Sequence, residues 1–102
     1  MSVRPDAEPV RLCPLSDLRR MAAELDGKRV TLMGLGLFGG GEGAAKFLLA
    51  RGARLTIADL RTPEQLAPSL AGLRGLPATY RLGEHATEDF VGADLVVANP
   101  AV

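Results

Sequence analysis

Short apolar runs alternate with amphipathic stretches along most of this chain. Four runs have the length and composition of strands, at residues 30–33, 54–59, 79–82 and 94–98. Helical spacing or helix-forming residues predict helices over about 17–26, 44–51 and 63–73, and a short helical turn at 87–90. Since strands that alternate with helices form parallel sheets, the pattern predicts a Rossmann-like α/β fold, a doubly wound parallel sheet in three layers.

The predicted helices are bounded by residues that favour helix ends. Ser16 is placed to cap the first helix, and Gly27 to end it. Thr62 is placed to cap the helix after the second strand, with Pro63 at its first position. Pro68 lies inside that helix, which we therefore expect to be short or broken.

The two ends of the chain fall outside this pattern. Residues 1–14 hold three prolines and show no period, so we interpret them as a tail or as an extended segment lying on a neighbour. We divide the chain into an N-terminal tail and helix, 1–26, and a Rossmann-like domain, 27–102. Only four residues follow the last strand, and no helix is left to cover the sheet, which favours a fragment of a longer multidomain chain.

Charge and composition exclude several classes of protein. Lys plus Arg and Asp plus Glu both number 12, so no net basic field attracts a nucleic acid. The chain has no apolar run of ~18 residues for a membrane span, and its first residues carry charges and prolines where an export signal would be apolar. Cys13, the single cysteine, is expected to be a plain thiol near a flexible end. We expect a cytoplasmic protein.

A glycine-rich stretch joins the first predicted strand to the next helix. Gly34, Gly36 and Gly39 have the spacing of a dinucleotide-binding motif, between the strand and the helix that this motif requires. In such motifs the first glycine permits a tight turn, the second lets phosphates approach the backbone, and the third lets helix and strand pack closely. Amides at the helix start favour a pyrophosphate. The alternative is that these glycines serve only the turn and the packing.

Two polar residues follow the second predicted strand. Asp59 comes twenty residues after Gly39, where Rossmann proteins place an acid that binds ribose or base. Its alternative role is that of a solvated aspartate that caps the next turn with Thr62. Arg61 either stacks on a base or is solvated.

Ligands of open parallel sheets bind beyond the carboxyl ends of the strands, where the strand order reverses. We expect this point between the first and fourth predicted strands, so Asn99 and Pro100 would lie opposite the glycines. Asn99 either donates to a phosphate or closes an Asx turn. His85, the only histidine, is interpreted as a solvated loop residue. Since we find neither a P-loop nor a Ser/His/Asp set, we expect no catalytic residue, metal or cofactor in this chain.

Several segments together resemble a known family. They are GKRV at residues 27–30 leading into the glycines, Arg51-Gly52-Ala53, Asp59-Leu60-Arg61, and ADLVVANP at residues 93–100. In this combination residues 26–102 resemble the N-terminal domain of UDP-N-acetylmuramoyl-L-alanine:D-glutamate ligases, which belong to the Mur ligases. The closing VVANPAV resembles the strand and Ser-Pro-Gly turn of that family, and it favours UDP over NAD.

The resemblance implies that the domain holds the UDP part of UDP-N-acetylmuramoyl-L-alanine in peptidoglycan precursor synthesis. It implies that a central domain of the full ligase binds ATP and Mg²⁺, that a third domain helps to bind D-glutamate, and that the amide bond forms through an acyl phosphate. The implied substrate-binding residues, besides Gly34, Gly36 and Gly39, are Leu37 and Phe38 at the diphosphate, Asp59, Leu60 and Arg61 near the uracil, and Asn99, Pro100 and Ala101 across the pocket.

Two other interpretations stay open at this point. An NAD(P)-binding domain of an oxidoreductase, or a ligand-sensing module, fits the three motif glycines and Asp59 equally well. A structural interaction domain that keeps only the fold is also compatible with the pattern, because a fold does not determine a function. This last interpretation predicts that neither nucleotide binds.

Overall fold

A computed structural model describes residues 11–36, 40–84 and 87–99 of the chain. The strands are β1 (Arg11–Pro14), β2 (Arg29–Met33), β3 (Arg54–Asp59), β4 (Ala78–Leu82) and β5 (Leu95–Ala98). The helices are a 3₁₀ helix (Leu15–Glu24), α1 (Gly40–Ala50), α2 (Ala67–Gly72) and α3 (Thr87–Val91). The four predicted strands correspond to β2–β5, and their bounds agree to within one residue.

The described strands form one parallel sheet in the order β1-β5-β2-β3-β4. From β2 the chain moves outward to β3 and β4, and it then crosses back to place β5 on the other side of β2. The strand order therefore reverses between β2 and β5. This confirms the predicted α/β fold and places the reversal between the first and fourth predicted strands.

The hydrophobic core lies mainly on one face of the sheet. In the parallel register Val30 lies between Leu55 and Leu95, and two residues further on Leu32 lies between Ile57 and Val97. All six side chains are buried. The helices and the residues at their ends cover this face with leucines and alanines, chiefly Leu18, Leu25, Ala45, Leu48, Leu66 and Leu73. Each fully buried leucine contributes about 2 kcal/mol of hydrophobic stabilisation, so the helices are held to the sheet by this contact.

The edge strand β1 was missed by the sequence analysis. Of the two interpretations of residues 1–14, the tail is wrong for Arg11–Pro14, which is extended and pairs with β5 of the same chain. Cys13 is buried in the core, and not at a flexible end, whereas Leu12 on the opposite face is exposed. An edge strand of four residues, which pairs on one side only and ends in a proline, produces little periodic pattern in the sequence.

The first helix also differs from its prediction. It has 3₁₀ geometry, begins at Leu15 and contains Ser16, which was expected to lie before its first residue. Pro14, the last residue of β1, has φ −61°, the value that the proline ring imposes. The helix begins at the next residue, so no loop separates it from β1. Leu18 and Leu25 of this segment belong to the same core as the strands.

The segment between β3 and α2 contains a capping box. The Gln65 N–H donates to the Thr62 hydroxyl oxygen at 3.3 Å, and the Thr62 N–H donates to the Gln65 side-chain oxygen at 2.9 Å. Residues 63–66 form turns, and the α-helix begins only at Ala67, with Pro68 in its first turn, where a missing N–H costs no helical hydrogen bond. The helix is short, as Pro68 predicted.

The helix α3 is tied to the second face of the sheet by polar contacts. The buried Thr31 hydroxyl donates to the Asp89 carbonyl oxygen, and Arg81 Nε donates to the Asp89 carboxylate at 2.8 Å. This hydrogen-bonded carboxylate raises the pKa of Arg81. Among the described residues, no helix is long and apolar enough to span a membrane.

Candidate functional site

The candidate site lies at the carboxyl ends of three neighbouring strands. Residues 34–36, which we call the glycine turn, follow β2; Asp59 ends β3; and Asn99 follows β5. Because these strands are adjacent and parallel, their carboxyl ends meet at one edge of the sheet. The structure thus brings Gly34, Gly36, Asp59 and Asn99 together at the predicted reversal of strand order.

The glycine turn has a backbone that only glycine adopts readily. Gly34 has φ +95° and Gly36 has φ +77°, both in the left-handed region. Leu35, between them, is fully buried in the core. The Gly34 N–H donates to the Ala58 carbonyl oxygen at 2.7 Å, which ties the start of the turn to β3.

Asp59 is directed into the glycine turn. Its Oδ2 accepts hydrogen bonds from the Leu35 N–H at 2.9 Å and the Gly36 N–H at 3.3 Å, while its Oδ1 accepts the Arg61 N–H at 2.8 Å. The side chain is 1% exposed, so the alternative of a solvated aspartate is wrong. Thr62, its suggested partner in that alternative, pairs with Gln65 instead. Contact of Asp59 with a ribose or base stays a prediction.

Asn99 fastens the turn from the other side. Its Nδ2 donates to the carbonyl oxygens of Gly34 at 3.2 Å and Leu35 at 3.4 Å, and the residue is buried. Sequence reasoning gave this amide to a phosphate or to an Asx turn. The structure shows a third use, a link between the ends of β2 and β5, and contact with a phosphate stays a prediction.

Ser69 is a site residue that sequence reasoning missed. From α2, its hydroxyl donates to the Gly36 carbonyl oxygen at 2.9 Å, and the residue is 3% exposed. With this bond, every backbone N–H and C=O of the glycine turn has a partner within the protein. Its sequence signal is faint: one hydroxyl in a stripe that otherwise places leucines at positions 66, 70 and 73.

Gly41 sets the approach of α1 to the glycine turn. A Cβ added at Gly41 would overlap the carbonyl group of Leu35, so a larger residue requires the helix or the turn to move. Sequence reasoning assigned this close packing to Gly39. Gly39 lies outside the described residues, and among those described it is Gly41 that makes this contact.

The residues after Asp59 form the rim of the site. Leu60 is 59% exposed. The Arg61 side chain is 32% exposed, and its Nη1 lies 3.6 Å from Asp59 Oδ2. Arg61 is thus partly fixed by an ion pair and still reaches the surface. Stacking of Arg61 on a base stays a prediction.

The remaining predicted site residues, Leu37, Phe38, Gly39, Pro100 and Ala101, lie outside the described residues, as does His85. Their roles stay predictions.

A cavity of about 700 Å³ lies far from the glycine turn, at the amino-terminal edge of the sheet, where it is lined by Thr31, Thr56 and Asp89 among others. It does not coincide with the site that the sequence predicted.

Comparison with known proteins found no family model that matches the chain. Relatives were found among individual proteins named UDP-N-acetylmuramoylalanine–D-glutamate ligase. The chain is 53% identical over 79 residues to the protein of Roseiflexus sp. (strain RS-1), 50% over 86 residues to that of Treponema pallidum, and 46% over 81 residues to that of Borreliella burgdorferi (strain ZS7). These matches cover 78%, 83% and 78% of this chain but only 17%, 16% and 18% of the relatives. The chain therefore spans less than a fifth of their length.

Proposed function

Since this chain belongs to the family of UDP-N-acetylmuramoylalanine–D-glutamate ligases, we propose that it forms the UDP-binding domain of such a ligase. In this proposal it holds the UDP part of UDP-N-acetylmuramoyl-L-alanine in the cytoplasm. The observation that carries the proposal is the preformed glycine turn at the point where the strand order reverses, flanked by the ends of β3 and β5. Open parallel sheets bind nucleotides at this position.

The electrostatics of this edge suit a diphosphate. The helix α1 has eleven residues and begins at Gly40, next to the glycine turn, so the positive end of its dipole lies at the site. Arg61 brings a positive charge to the rim, part of which offsets the Asp59 carboxylate 3.6 Å away. The one acid in the first turn of α1, Glu42, pairs with Lys46 at 3.0 Å, which partly offsets its repulsion of an anion.

The proposed division of labour leaves the bond-forming chemistry to other parts of the ligase. We propose that a central domain binds ATP and Mg²⁺, that a C-terminal domain helps to bind D-glutamate, and that the substrate carboxyl is activated as an acyl phosphate there. This chain would bind and orient the nucleotide end of the substrate.

The experiment that tests the proposal is an amide chemical-shift titration of this chain with UDP-N-acetylmuramoyl-L-alanine, UDP and NADH in parallel. We expect the two UDP ligands to shift the amides of Gly36, Arg61 and Asn99, and NADH to leave them unchanged. A preference for NADH, or no shift with any of the three, would contradict the proposal.

A pair of arginine variants makes this test sharper. Arg61→Ala removes the cation at the rim, and we expect about fivefold weaker UDP binding, the factor that corresponds to one ordinary polar contact. Arg74→Ala removes an equally long, exposed cation beyond the end of α2 and serves as the matched control. Equal losses in both variants would mean that UDP responds only to the overall charge.

A further inference from the structure

The hydrogen bond from Ser69 to the glycine turn stands apart from the core contacts around it. Leu66 and Leu73, which flank α2 at its two ends, are almost completely buried, and Ser69 lies between them in the helix at 3% exposure. A buried hydroxyl costs free energy unless it is hydrogen-bonded. In helices, serine usually meets this need locally, by donating to the carbonyl four residues earlier. Ser69 instead donates to Gly36, which is 33 residues away in the chain.

This bond fixes the last peptide unit of the glycine turn. Asp59 holds the N–H groups of Leu35 and Gly36, and Asn99 holds the carbonyls of Gly34 and Leu35. Neither of these residues holds the Gly36 carbonyl, which accepts its hydrogen bond from Ser69. Because a peptide unit is planar, orienting its C=O orients the whole unit that follows Gly36. Gly36 has φ +77°, and glycine resists rotation of that unit less than any other residue does.

We propose that Ser69 is a positioning residue of the nucleotide site, which acts through the peptide unit that follows Gly36. This inference rests on the proposed function, since it assumes that a UDP ligand binds at the glycine turn. Ser69 does not touch the ligand. It keeps the turn in the conformation that binds, and α2 is thereby coupled to a site formed mainly by β2, β3 and β5.

The test compares Ser69→Ala with Thr31→Val in the full chain. Each variant removes a buried hydroxyl that donates to a distant backbone carbonyl, Gly36 for Ser69 and Asp89 for Thr31. Thr31 is the central residue of β2, and its hydroxyl bonds to α3 and not to the glycine turn, so it serves as the control for loss of stability alone. For each variant, we would measure amide shifts and hydrogen exchange of residues 34–36 in the free protein, and UDP affinity by titration.

In Ser69→Ala we expect altered shifts and faster exchange at Leu35 and Gly36, together with about fivefold weaker UDP binding, because the binding conformation is populated less. In Thr31→Val we expect the turn to be unchanged and the UDP affinity to stay within about twofold of that of the original chain. Loss of one hydrogen bond to the site would lower the affinity by more than this.

The proposal is overturned if Ser69→Ala leaves the turn unchanged, if it changes the turn but not the affinity, or if Thr31→Val weakens binding equally. Failure of the proposed function is a separate result, because the unmodified chain would then bind neither UDP ligand. In that case the role of Ser69 in binding falls with it, even if the spectra show that Ser69 holds the turn.

Discussion

Replacing Asp59 tests whether this carboxylate holds the glycine turn in place or serves chiefly to contact a ligand. It accepts three backbone N–H groups, from Leu35, Gly36 and Arg61, and two of these bonds are buried. Asp59→Ala removes both carboxylate oxygens and with them all three hydrogen bonds. A carboxylate placed mainly to contact a nucleotide would cost little stability when removed from the ligand-free protein, whereas one that holds the turn would cost much.

The size of the effect follows from the groups left without a partner. A buried N–H without an acceptor costs about 1–3 kcal/mol, so the two buried amides of Leu35 and Gly36 together predict a loss of about 2–6 kcal/mol. For a chain of 102 residues with a total stability of roughly 5–15 kcal/mol, this is a large fraction. Asp59→Asn should cost less, about 1–2 kcal/mol, because the amide oxygen can still accept the two turn N–H groups while its NH₂ faces the Arg61 N–H.

The assay is urea unfolding followed by far-ultraviolet circular dichroism, with Glu64→Ala as a matched control. Glu64 is an exposed acid only five positions away, and its removal should change stability by less than about 0.5 kcal/mol. The order Ala, Asn, original chain, from least to most stable, is the expected result. A loss below about 1 kcal/mol for Asp59→Ala would refute the argument that Asp59 organises the turn.

Two further predictions concern packing and pH. Gly41→Ala should destabilise the chain by about 2–4 kcal/mol in the same assay, because its Cβ would overlap the Leu35 carbonyl. Gly43 has open space around it, so Gly43→Ala should stabilise α1 by about 0.5–1 kcal/mol. Equal effects of the two substitutions would contradict this packing. Burial raises the pKa of Tyr80, the only tyrosine, above its ordinary value of 10.0, so an ultraviolet titration should place its midpoint higher in the folded than in the unfolded chain. Since the unfolded chain loses this proton first, stability should fall as pH rises from 10.0 through the folded-state pKa, and Tyr80→Phe should remove this contribution.

The strands and the position of the site could be predicted because both depend on local patterns. A parallel strand buried on both faces must be apolar over several residues, and β2, β3 and β5 are. The spacing of Gly34 and Gly36 after such a strand predicts a tight turn, and their positive φ values are ones that glycine adopts readily. The edge strand β1 was missed because it pairs along one side only and carries no such pattern.

The partners of the site residues could not be predicted in the same way. Asp59, Asn99 and Ser69 were available as donors or acceptors, but their partners in the glycine turn are 23 to 65 residues away and depend on how the strands and α2 pack. Nor does a run of three glycines reveal which of them meets the neighbouring backbone. That choice depends on the rotation of α1 about its axis, which brings Gly41 against Leu35.

The hydrogen bonds that pair every backbone group of the glycine turn within the protein help to explain why its motif does not distinguish UDP from NADH. A turn whose N–H and C=O groups are all paired within the protein takes its shape before any ligand arrives, so binding involves no ordering cost for it. The same turn can therefore stand beside the diphosphate of either nucleotide. Discrimination has to come from side chains that reach beyond the turn, and among the described residues Leu60 and Arg61 at the rim are placed to provide it. Replacing Leu60 and Arg61 should consequently alter the relative affinity for the two nucleotides more than Ser69→Ala, which acts on the turn itself, as parallel titrations with UDP and NADH would show.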